Sequence, residues 1–286
     1  MSADTAIPFG FERLPVRGAL IHLARSWRRM LRDHDYDALV METLGHAAAA
    51  TGLIAQSLKF DGAITLQIQS RGDLRMLVMQ CTSELDLRGM ASARPGSTAT
   101  RFADLIEEGH CAVTVDNGQR PYQGIVDIEE TSLAGSLEHY FSRSVQVPSH
   151  VALVANAEIA GGVLLQQVPG NPIDYDDWNR LHYLAETLNS KDFDGGGGMS
   201  LIGRLFAEDD VRVYGSRPVN FRCRCSQAGT EDVLKLLGEK EARETLASVG
   251  VIEVFCEYCG RERRFDAVDV ERLFVDNVVQ GPDSVQ

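Results

Sequence analysis

Two pairs of cysteines near the C-terminus carry the clearest chemistry in this sequence of 286 residues. The first pair is a Cys-x-Cys at 223–225, and the second is a Cys-x-x-Cys at 256–259. Thiolate sulfur is a preferred ligand of zinc, and structural zinc sites commonly take four cysteines from two closely spaced pairs. The spacing therefore predicts that Cys223, Cys225, Cys256 and Cys259 bind one zinc ion.

Each pair lies in a segment that suits ligand binding. Alternate residues of an extended strand face the same way, so Cys223 and Cys225 are predicted to point together, with Arg222 and Arg224 pointing away. The second pair follows a predicted apolar strand. Gly260, directly after it, can adopt the positive φ that a tight metal-binding turn requires.

Four neighbouring thiolates also allow redox chemistry, because a disulfide sulfur is no longer a thiolate ligand. The segment from Cys223 onward is short for a stable core, and zinc contributes about 10–16 kcal/mol to the folding of small zinc peptides. In an extended strand the Cα atoms of Cys223 and Cys225 would lie about 6.6 Å apart, at the long end of the disulfide range, so oxidation is expected to favour the unfolded segment. The cysteines alone fit either a redox switch or a purely structural zinc site.

Motifs along nearly the full chain resemble the heat shock protein 33 family of bacterial redox-regulated holdase chaperones. The cysteine motifs, Cys-Arg-Cys-Ser at 223–226 and Ile-Glu-Val-Phe-Cys-Glu-Tyr-Cys-Gly at 252–260, are the most specific part of this similarity. The other matching motifs are Val16-Arg17-Gly18, His34-Asp35-Tyr36, Ser57-Leu58-Lys59-Phe60-Asp61-Gly62, Tyr122-Gln123-Gly124-Ile125-Val126, Leu137-Glu138-His139-Tyr140-Phe141 and Gly161-Gly162-Val163-Leu164-Leu165-Gln166. Only the first few residues and the tail after Asp276 lie outside the similarity.

The resemblance implies an ATP-independent holdase that is an inactive monomer with one bound zinc ion when reduced. Hypochlorous acid, or peroxide with heat, would form the disulfides Cys223–Cys225 and Cys256–Cys259, release zinc, and unfold the linker and the C-terminal module. The oxidised chain would form a homodimer, bind unfolded or partially unfolded client proteins, and pass them to ATP-dependent foldase chaperones. By this resemblance the four cysteines are both zinc ligands and redox-active residues.

Four features depart from the family pattern. Arg263 stands where relatives usually have an aromatic residue, Gly229 where a basic residue is common, and Val145 where an acidic residue is usual. The four-glycine run at 195–198 is unusual for the linker. These departures leave the ligands in place and bear on the stability of the module and the threshold of activation.

The periodicity of the chain predicts an α+β fold in three parts. Residues 1–170 contain strand-like alternation and a buried small-residue helix at 37–58, and are predicted to form a large sheet-and-helix core. The resemblance implies that this part is the chaperone core. Residues 171–221 are predicted to be an amphipathic helical linker, with a helix at 174–193 and a flexible break at the glycine run. Residues 222–286 are the predicted zinc-binding redox-switch domain.

Composition and motifs limit the other functions. A net charge of −13 argues against nucleic-acid binding. The apolar runs are predicted to be too short for a membrane span, and residues 1–11 lack a signal-peptide core. A cytoplasmic protein is therefore expected. Cys81 and Cys111 lie in apolar runs and are predicted to be buried bystanders. The seven histidines are scattered and are predicted to be surface or core residues.

The protein is predicted not to be an enzyme, since hydrolase, kinase and metalloprotease motifs are missing from the sequence. Two alternatives remain. A thiol-disulfide oxidoreductase would use Cys256 and Cys259, although such sites favour a Cys-x-x-Cys that opens a helix. A structural zinc ribbon would serve a nucleic-acid or protein complex.

Overall fold

The computed structural model describes residues 4–118, 120–128, 131–194 and 197–275. Helices and sheets are both present, which confirms the predicted α+β class. The chain divides into two compact units, Met1–Arg222 and Cys223–Gln286, called here the larger and the smaller unit. The division of the larger unit into a core and a linker stays a prediction, and residues 276–286 of the predicted zinc domain lie outside the described residues.

The first sheet of the larger unit has six strands. They are β1 Thr5–Phe11, β2 Val16–Leu23, β8 Ser149–Ala155, β9 Ala160–Gln167, β10 Val211–Val213 and β11 Arg217–Pro218. Their order is β10-β1-β2-β9-β8, with β11 also beside β1, and all neighbours are antiparallel. The last part of the predicted linker therefore contributes strands to this sheet.

The second sheet of the larger unit also has six strands. They are β3 Ala63–Gln69, β4 Leu74–Thr82, β5 Asp86–Ala93, β6 His110–Asp116, β7 Tyr122–Asp127 and β12 Asn220–Phe221. Their order is β12-β5-β4-β3-β6-β7, and β12 runs parallel to β5. Alternation in the sequence identifies a strand but not its partner: β9 follows the strands β3 to β7 in the chain but pairs with β2 of the first sheet.

Nine helices lie in the described ranges. The larger unit contains α1 Arg25–Leu31, α2 Ala38–Ser57, α3 Phe102–Leu105, α4 Leu133–Tyr140, α5 Tyr175–Glu186 and α6 Gly197–Leu205, and the smaller unit contains α7 Gln227–Leu237, α8 Glu239–Val249 and α9 Ala267–Val275. A π-helical turn, Phe141–Val145, continues α4. Val145, which stands where the family usually has an acidic residue, is exposed at the end of this turn. The 3₁₀ turn Ser190–Phe193 follows α5.

Helix α2 is the buried core helix that the small-residue run predicted. Its alanines at 47–50 are at most 1% exposed. A Cβ atom on Gly52 would lie 2.2 Å from Cδ1 of Ile21, so any larger residue there would require the buried Ile21 side chain to move. Against expectation, α2 is long and apolar enough to cross a membrane by length and composition, but 72% of that window is buried inside the fold.

The segment predicted as a linker covers one face of the first sheet. Helices α5 and α6 bury Leu181, Ala185 and Leu201 in a cluster with Phe9 and Leu20 of the sheet. The expected helix at 174–193 is shorter than predicted, because α5 ends at Glu186 and a 3₁₀ turn follows. Residues 195 and 196 of the glycine run lie outside the described residues, whereas 197 and 198 open α6, so the predicted flexible break does not extend to them.

Asp4 fastens the first strand to the end of the larger unit. Its carboxylate accepts hydrogen bonds from the backbone N–H groups of residues 24–26 at the start of α1, and its carbonyl accepts one from Val219 N–H at 3.0 Å. Ser26 Oγ donates to the Val219 carbonyl and accepts from Phe221 N–H. This buried network holds the short strand β12 in place.

Candidate metal centre

The structure brings the four predicted cysteines of the smaller unit together. All four Sγ atoms lie within 4.8 Å of one another. The shortest distances join the two pairs, with Cys223 Sγ 3.6 Å from Cys256 Sγ and Cys225 Sγ 3.6 Å from Cys259 Sγ. All four are free thiols and half-buried. Side chains 33 and 34 residues apart in the sequence therefore converge on one point.

The first pair does not lie in a strand, which corrects the sequence prediction. The strand β12 ends at Phe221, and the chain from 222 to 226 has no regular structure. The N–H of Cys225 is turned onto Cys223 Sγ at 3.5 Å, so it is not available to a strand ladder. The predicted alternation holds, since Cys223 and Cys225 are half-buried and Arg224 is exposed. The strand-based argument against a Cys223–Cys225 disulfide loses its basis.

The second pair sits in the turn of a hairpin. Strands β13, Ile252–Phe255, and β14, Glu262–Phe265, are antiparallel on either side of it. The carbonyl of Cys256 accepts hydrogen bonds from Cys259 N–H at 3.2 Å and Gly260 N–H at 2.8 Å, and Cys256 N–H donates to the Arg261 carbonyl. Gly260 has φ of 64°, which confirms the predicted left-handed residue after the second ligand. A Cys-x-x-Cys between strands lacks the helix N-terminus of an oxidoreductase site.

Gly229 and Arg263, two of the residues that depart from the family pattern, make contacts beside the first pair. Ser226 caps helix α7, since its Oγ accepts from Gly229 N–H at 3.0 Å directly after Cys225. Arg263 on β14 donates from Nη1 to Gln227 Oε1 at 2.8 Å, which links the hairpin to the start of α7. Sequence reasoning missed both contacts, although a serine immediately before a predicted helix is an N-cap signal. The tertiary contact of Arg263 leaves no such local signal.

The fold around the cysteines rests on a small apolar core. Its buried members are Leu234, Ala242, Ile252, Phe265, Val270, Leu273 and Phe274. They come from α7, α8, α9 and both strands of the hairpin, so each element of the smaller unit contributes to one cluster. A core of this size is small for independent stability, and metal binding commonly supplies the remainder in such units.

Burial and the neighbouring thiols shift the pKa values of Cys223, Cys225 and Cys259. Burial raises the pKa of Cys223 and raises the pKa of Cys259 to about 12. Burial also raises the pKa of Cys225, but hydrogen bonds from the other three thiols outweigh it, so the net pKa of Cys225 is lowered. Thiolates this close repel one another, and a bound cation removes that repulsion. The cluster therefore favours either shared protons or a metal ion.

The spacing of the sulfur atoms fits a tetrahedral metal ion. Four thiolates at a Zn–S distance of about 2.3 Å would lie about 3.8 Å apart. The observed range runs from 3.6 Å between the closest sulfurs to a limit of 4.8 Å. Four sulfur ligands also fill a tetrahedral ion completely and leave no position for a substrate, which is the arrangement of a structural rather than a catalytic site.

The two remaining cysteines lie away from this cluster. Cys81 on β4 is 0% exposed and Cys111 on β6 is 2% exposed. Burial raises the pKa of each thiol to about 12. Both are therefore unreactive core residues, as the sequence predicted.

Comparisons with known proteins agree with this arrangement. The family model described as Hsp33 protein matches residues 4–266. The chain is 38% identical over 283 residues to the 33 kDa chaperonin of Methylobacillus flagellatus, covering 97% of each chain. It is 41% identical over 276 residues to the 33 kDa chaperonin of Nitrosococcus oceani, covering 96% of each.

A solved structure shares the fold. The crystal structure of the 33 kDa chaperonin (heat shock protein 33 homolog) from Thermotoga maritima superposes with a TM-score of 0.83. The superposition covers 97% of this chain and 100% of the Thermotoga maritima chain, and the two sequences are 23% identical. The family match and the two full-length relatives confirm the resemblance seen in the sequence motifs: the chain belongs to the Hsp33 protein family, the family of the 33 kDa chaperonins.

Proposed function

We propose that this protein is a redox-regulated, ATP-independent holdase chaperone of the cytoplasm that binds unfolding proteins during oxidative stress. The observation that carries the proposal is the convergence of four thiols within 4.8 Å in a unit with only a small apolar core. Membership of the Hsp33 family supports the chaperone activity. The proposal includes no catalytic activity, nucleic-acid binding or membrane binding.

Cys223, Cys225, Cys256 and Cys259 would hold one zinc ion in the reduced protein. Zinc is favoured over other divalent metals by four soft sulfur ligands in a near-tetrahedral arrangement. When bound, zinc contributes cross-linking of the two cysteine pairs and charge compensation of the four thiolates. The smaller unit would depend on this cross-link because its apolar core is small.

Oxidation would remove the ligand set. Each disulfide forms when two thiolates lose two electrons, and peroxide accepts them and leaves, with two protons, as two water molecules. Two disulfides therefore consume four thiolates and two molecules of peroxide. The proposed pairs are Cys223–Cys225 and Cys256–Cys259, by analogy with the family. Sulfur distances of 3.6 Å make Cys223–Cys256 and Cys225–Cys259 the competing pairs.

Loss of the ligand set would then unfold the smaller unit and release the segment 171–221 from the rest of the larger unit. That segment covers an apolar face of the first sheet, where Phe9, Val163 and Leu165 are at most 1% exposed. Release would expose apolar surface on both partners, which is the chemistry that non-native proteins offer for binding. We further propose that the oxidised chain forms a homodimer and passes its clients to ATP-dependent foldase chaperones.

The test uses the full-length protein in three measurements: zinc content when reduced, zinc released on peroxide treatment, and suppression of thermal aggregation of an unrelated enzyme. The expected result is one zinc per chain, its release on oxidation, and suppression only by the oxidised sample. Zinc retained through oxidation, with no suppression by the treated sample, would instead favour a structural zinc ribbon.

Disulfide mapping by mass spectrometry completes the test and decides between the two pairings. The matched variants are Cys256→Ser, which removes a proposed ligand, and Cys111→Ser, which removes a buried thiol outside the cluster. Cys256→Ser should lose zinc and the redox response, whereas Cys111→Ser should retain both. Equal behaviour of the two variants would contradict the assignment of the four cysteines.

A further inference from the structure

Two histidines meet where helix α5 docks on the first sheet. His182 of α5 stacks on His150 of β8, with ring centroids 4.1 Å apart and planes 18° from parallel. Trp178, one turn earlier in α5, packs edge-on against His182 at 4.5 Å. The site lies within the larger unit and is separate from the cysteine cluster. This contact between two titratable side chains lies where α5 attaches to the first sheet, and the proposed function requires α5 to detach from that sheet.

Glu138 of α4 fixes the orientation of this pair. Its Oε1 atom lies 2.8 Å from His150 Nδ1 and accepts the backbone N–H of Val151 at 2.7 Å. A hydrogen on His150 Nδ1 directed at Glu138 leaves Nε2 without a proton in the neutral ring. His150 is 6% exposed, whereas the Glu138 side chain is 31% exposed, so a buried imidazole is held against a partly exposed carboxylate.

The other ring nitrogens have no acceptor for an added proton. Nε2 of His150 and Nε2 of His182 are both buried and make no hydrogen bond within the described structure. A protonated imidazole carries N–H on both nitrogens, so protonation of His182 would bury a charged donor without a partner. It would also place a positive charge against the face of His150.

The neighbouring charges do not remove this cost. The charged or titratable groups recorded around His182 are His150 from β8, Glu138 from α4 and Glu186 from α5. Glu138 already binds His150, and Glu186 is exposed. Burial, followed by the effect of His150, lowers the pKa of His182 despite the two carboxylates.

We propose that His150, His182 and Glu138 form a proton-sensitive latch that holds α5 on β8 near neutral pH and opens more readily in mild acid. The docked helix keeps His182 neutral, whereas the undocked helix lets it take up a proton. Docking is therefore strongest above the ordinary histidine pKa of 6.5 and weakens as the pH falls below it. The release itself needs no oxidant. Only its consequence, earlier client binding under combined acid and oxidative stress, rests on the proposed function.

The size of the pH effect follows from the uptake of one proton by His182 each time α5 opens. If docked His182 stays neutral throughout, the opening constant of α5 rises by a factor of about 10 between pH 7.5 and pH 5.5. Hydrogen exchange of the reduced, zinc-bound, full-length protein measures this constant for the peptide that covers α5. Rates are corrected for the intrinsic pH dependence of exchange, and peptides from α2 report whether the whole unit opens instead.

His182→Phe is the informative variant, because phenylalanine keeps a ring against Trp178 but cannot titrate. Its opening constant should change by less than about twofold over the same pH range. The matched control is His110→Phe, which removes a half-buried histidine from β6 in the other sheet and should keep the tenfold response. An unchanged pH response in His182→Phe, or a flat response in the wild type, would overturn the latch.

A second measurement covers the case in which His182→Phe fails to dock at any pH. The imidazole of His182 in the wild-type chain is titrated by NMR, and its pKa should lie below 6.5. A value at or above 6.5 would refute the latch even if the variant is uninformative. Neither measurement uses an oxidant or a client, so failure of the latch is distinct from failure of the proposed chaperone function.

Discussion

Substitution of Phe265 by alanine should weaken zinc binding without touching a ligand. Phe265 is 1% exposed, is one of the largest fully buried side chains, and lies in the core of seven residues that supports the cysteines. Truncation of a buried phenylalanine to alanine costs about 3–5 kcal/mol, because apolar surface is lost and a cavity remains. Because the core is so small, this loss is expected to lower the folding stability of the whole smaller unit.

The loss of folding free energy should appear as a loss of metal affinity. If zinc binds only the folded smaller unit, and the metal-free unit is mostly unfolded, each 1.4 kcal/mol lowers the apparent affinity about tenfold. Phe265→Ala should therefore weaken the apparent zinc affinity by a factor of about 100 to 4,000. The assay is a competition titration of the reduced full-length protein against a chromophoric zinc chelator.

The matched control for this prediction is Leu236→Ala on α7. Leu236 is a large apolar residue of the same unit, but it is 87% exposed, so its truncation creates no cavity. The affinity of the control should remain within about threefold of the wild type. An affinity of Phe265→Ala within about tenfold of the wild type would show that the unit folds without zinc, and the coupling of metal to fold would be refuted.

Three further substitutions and modifications test the larger unit. Asp4→Ala should lower its free energy of unfolding in urea by about 2–3 kcal/mol, because buried N–H groups lose their acceptor, and Asp4→Asn should cost less because it keeps one. A double-mutant cycle on Arg180 and Asp209, joined by two hydrogen bonds of 2.8 Å, should give a coupling of about 1 kcal/mol in hydrogen-exchange protection of α5, since the arginine is partly exposed. Burial raises the pKa of Cys81 and Cys111 to about 12, so alkylation at pH 8 should leave both unmodified in the folded protein and label both after unfolding.

The cysteine cluster was predictable because its local geometry is encoded in short segments. Two residues separate the members of the second pair, and the positive φ of Gly260 follows from a chain reversal that must bring both sulfurs to one side. The joining of the two pairs was predictable for a chemical reason, since a tetrahedral ion requires four ligands. The strand assigned to the first pair was wrong because the N–H of Cys225 bonds to sulfur, a partner that strand periodicity does not consider.

The pairing of strands was only partly predictable. Alternating patterns located β3, β4 and β6. Strands β3 and β4 are consecutive and pair as a local hairpin, whereas β3 also pairs with β6 across the intervening strands β4 and β5. The pairing of β9 with β2 joins segments more than a hundred residues apart, and nothing in either pattern names the other. The same limit applies to β12, which pairs with β5 through only two residues.

The histidine latch shows why sites built from separate elements escape sequence reasoning. His150, His182 and Glu138 come from a strand and two helices, so no spacing in the sequence distinguishes them from other core or surface residues. Helical periodicity can place His182 near the apolar face of α5, but ring stacking depends on how the helix lies on the sheet. The chemistry of the residues does not specify the partner either. A buried neutral histidine can form hydrogen bonds with many kinds of group, whereas two cysteines of a four-sulfur metal site require two further cysteines. Sites whose chemistry fixes the number and type of ligands can be read from sequence, and sites defined only by the docking of two elements require the structure.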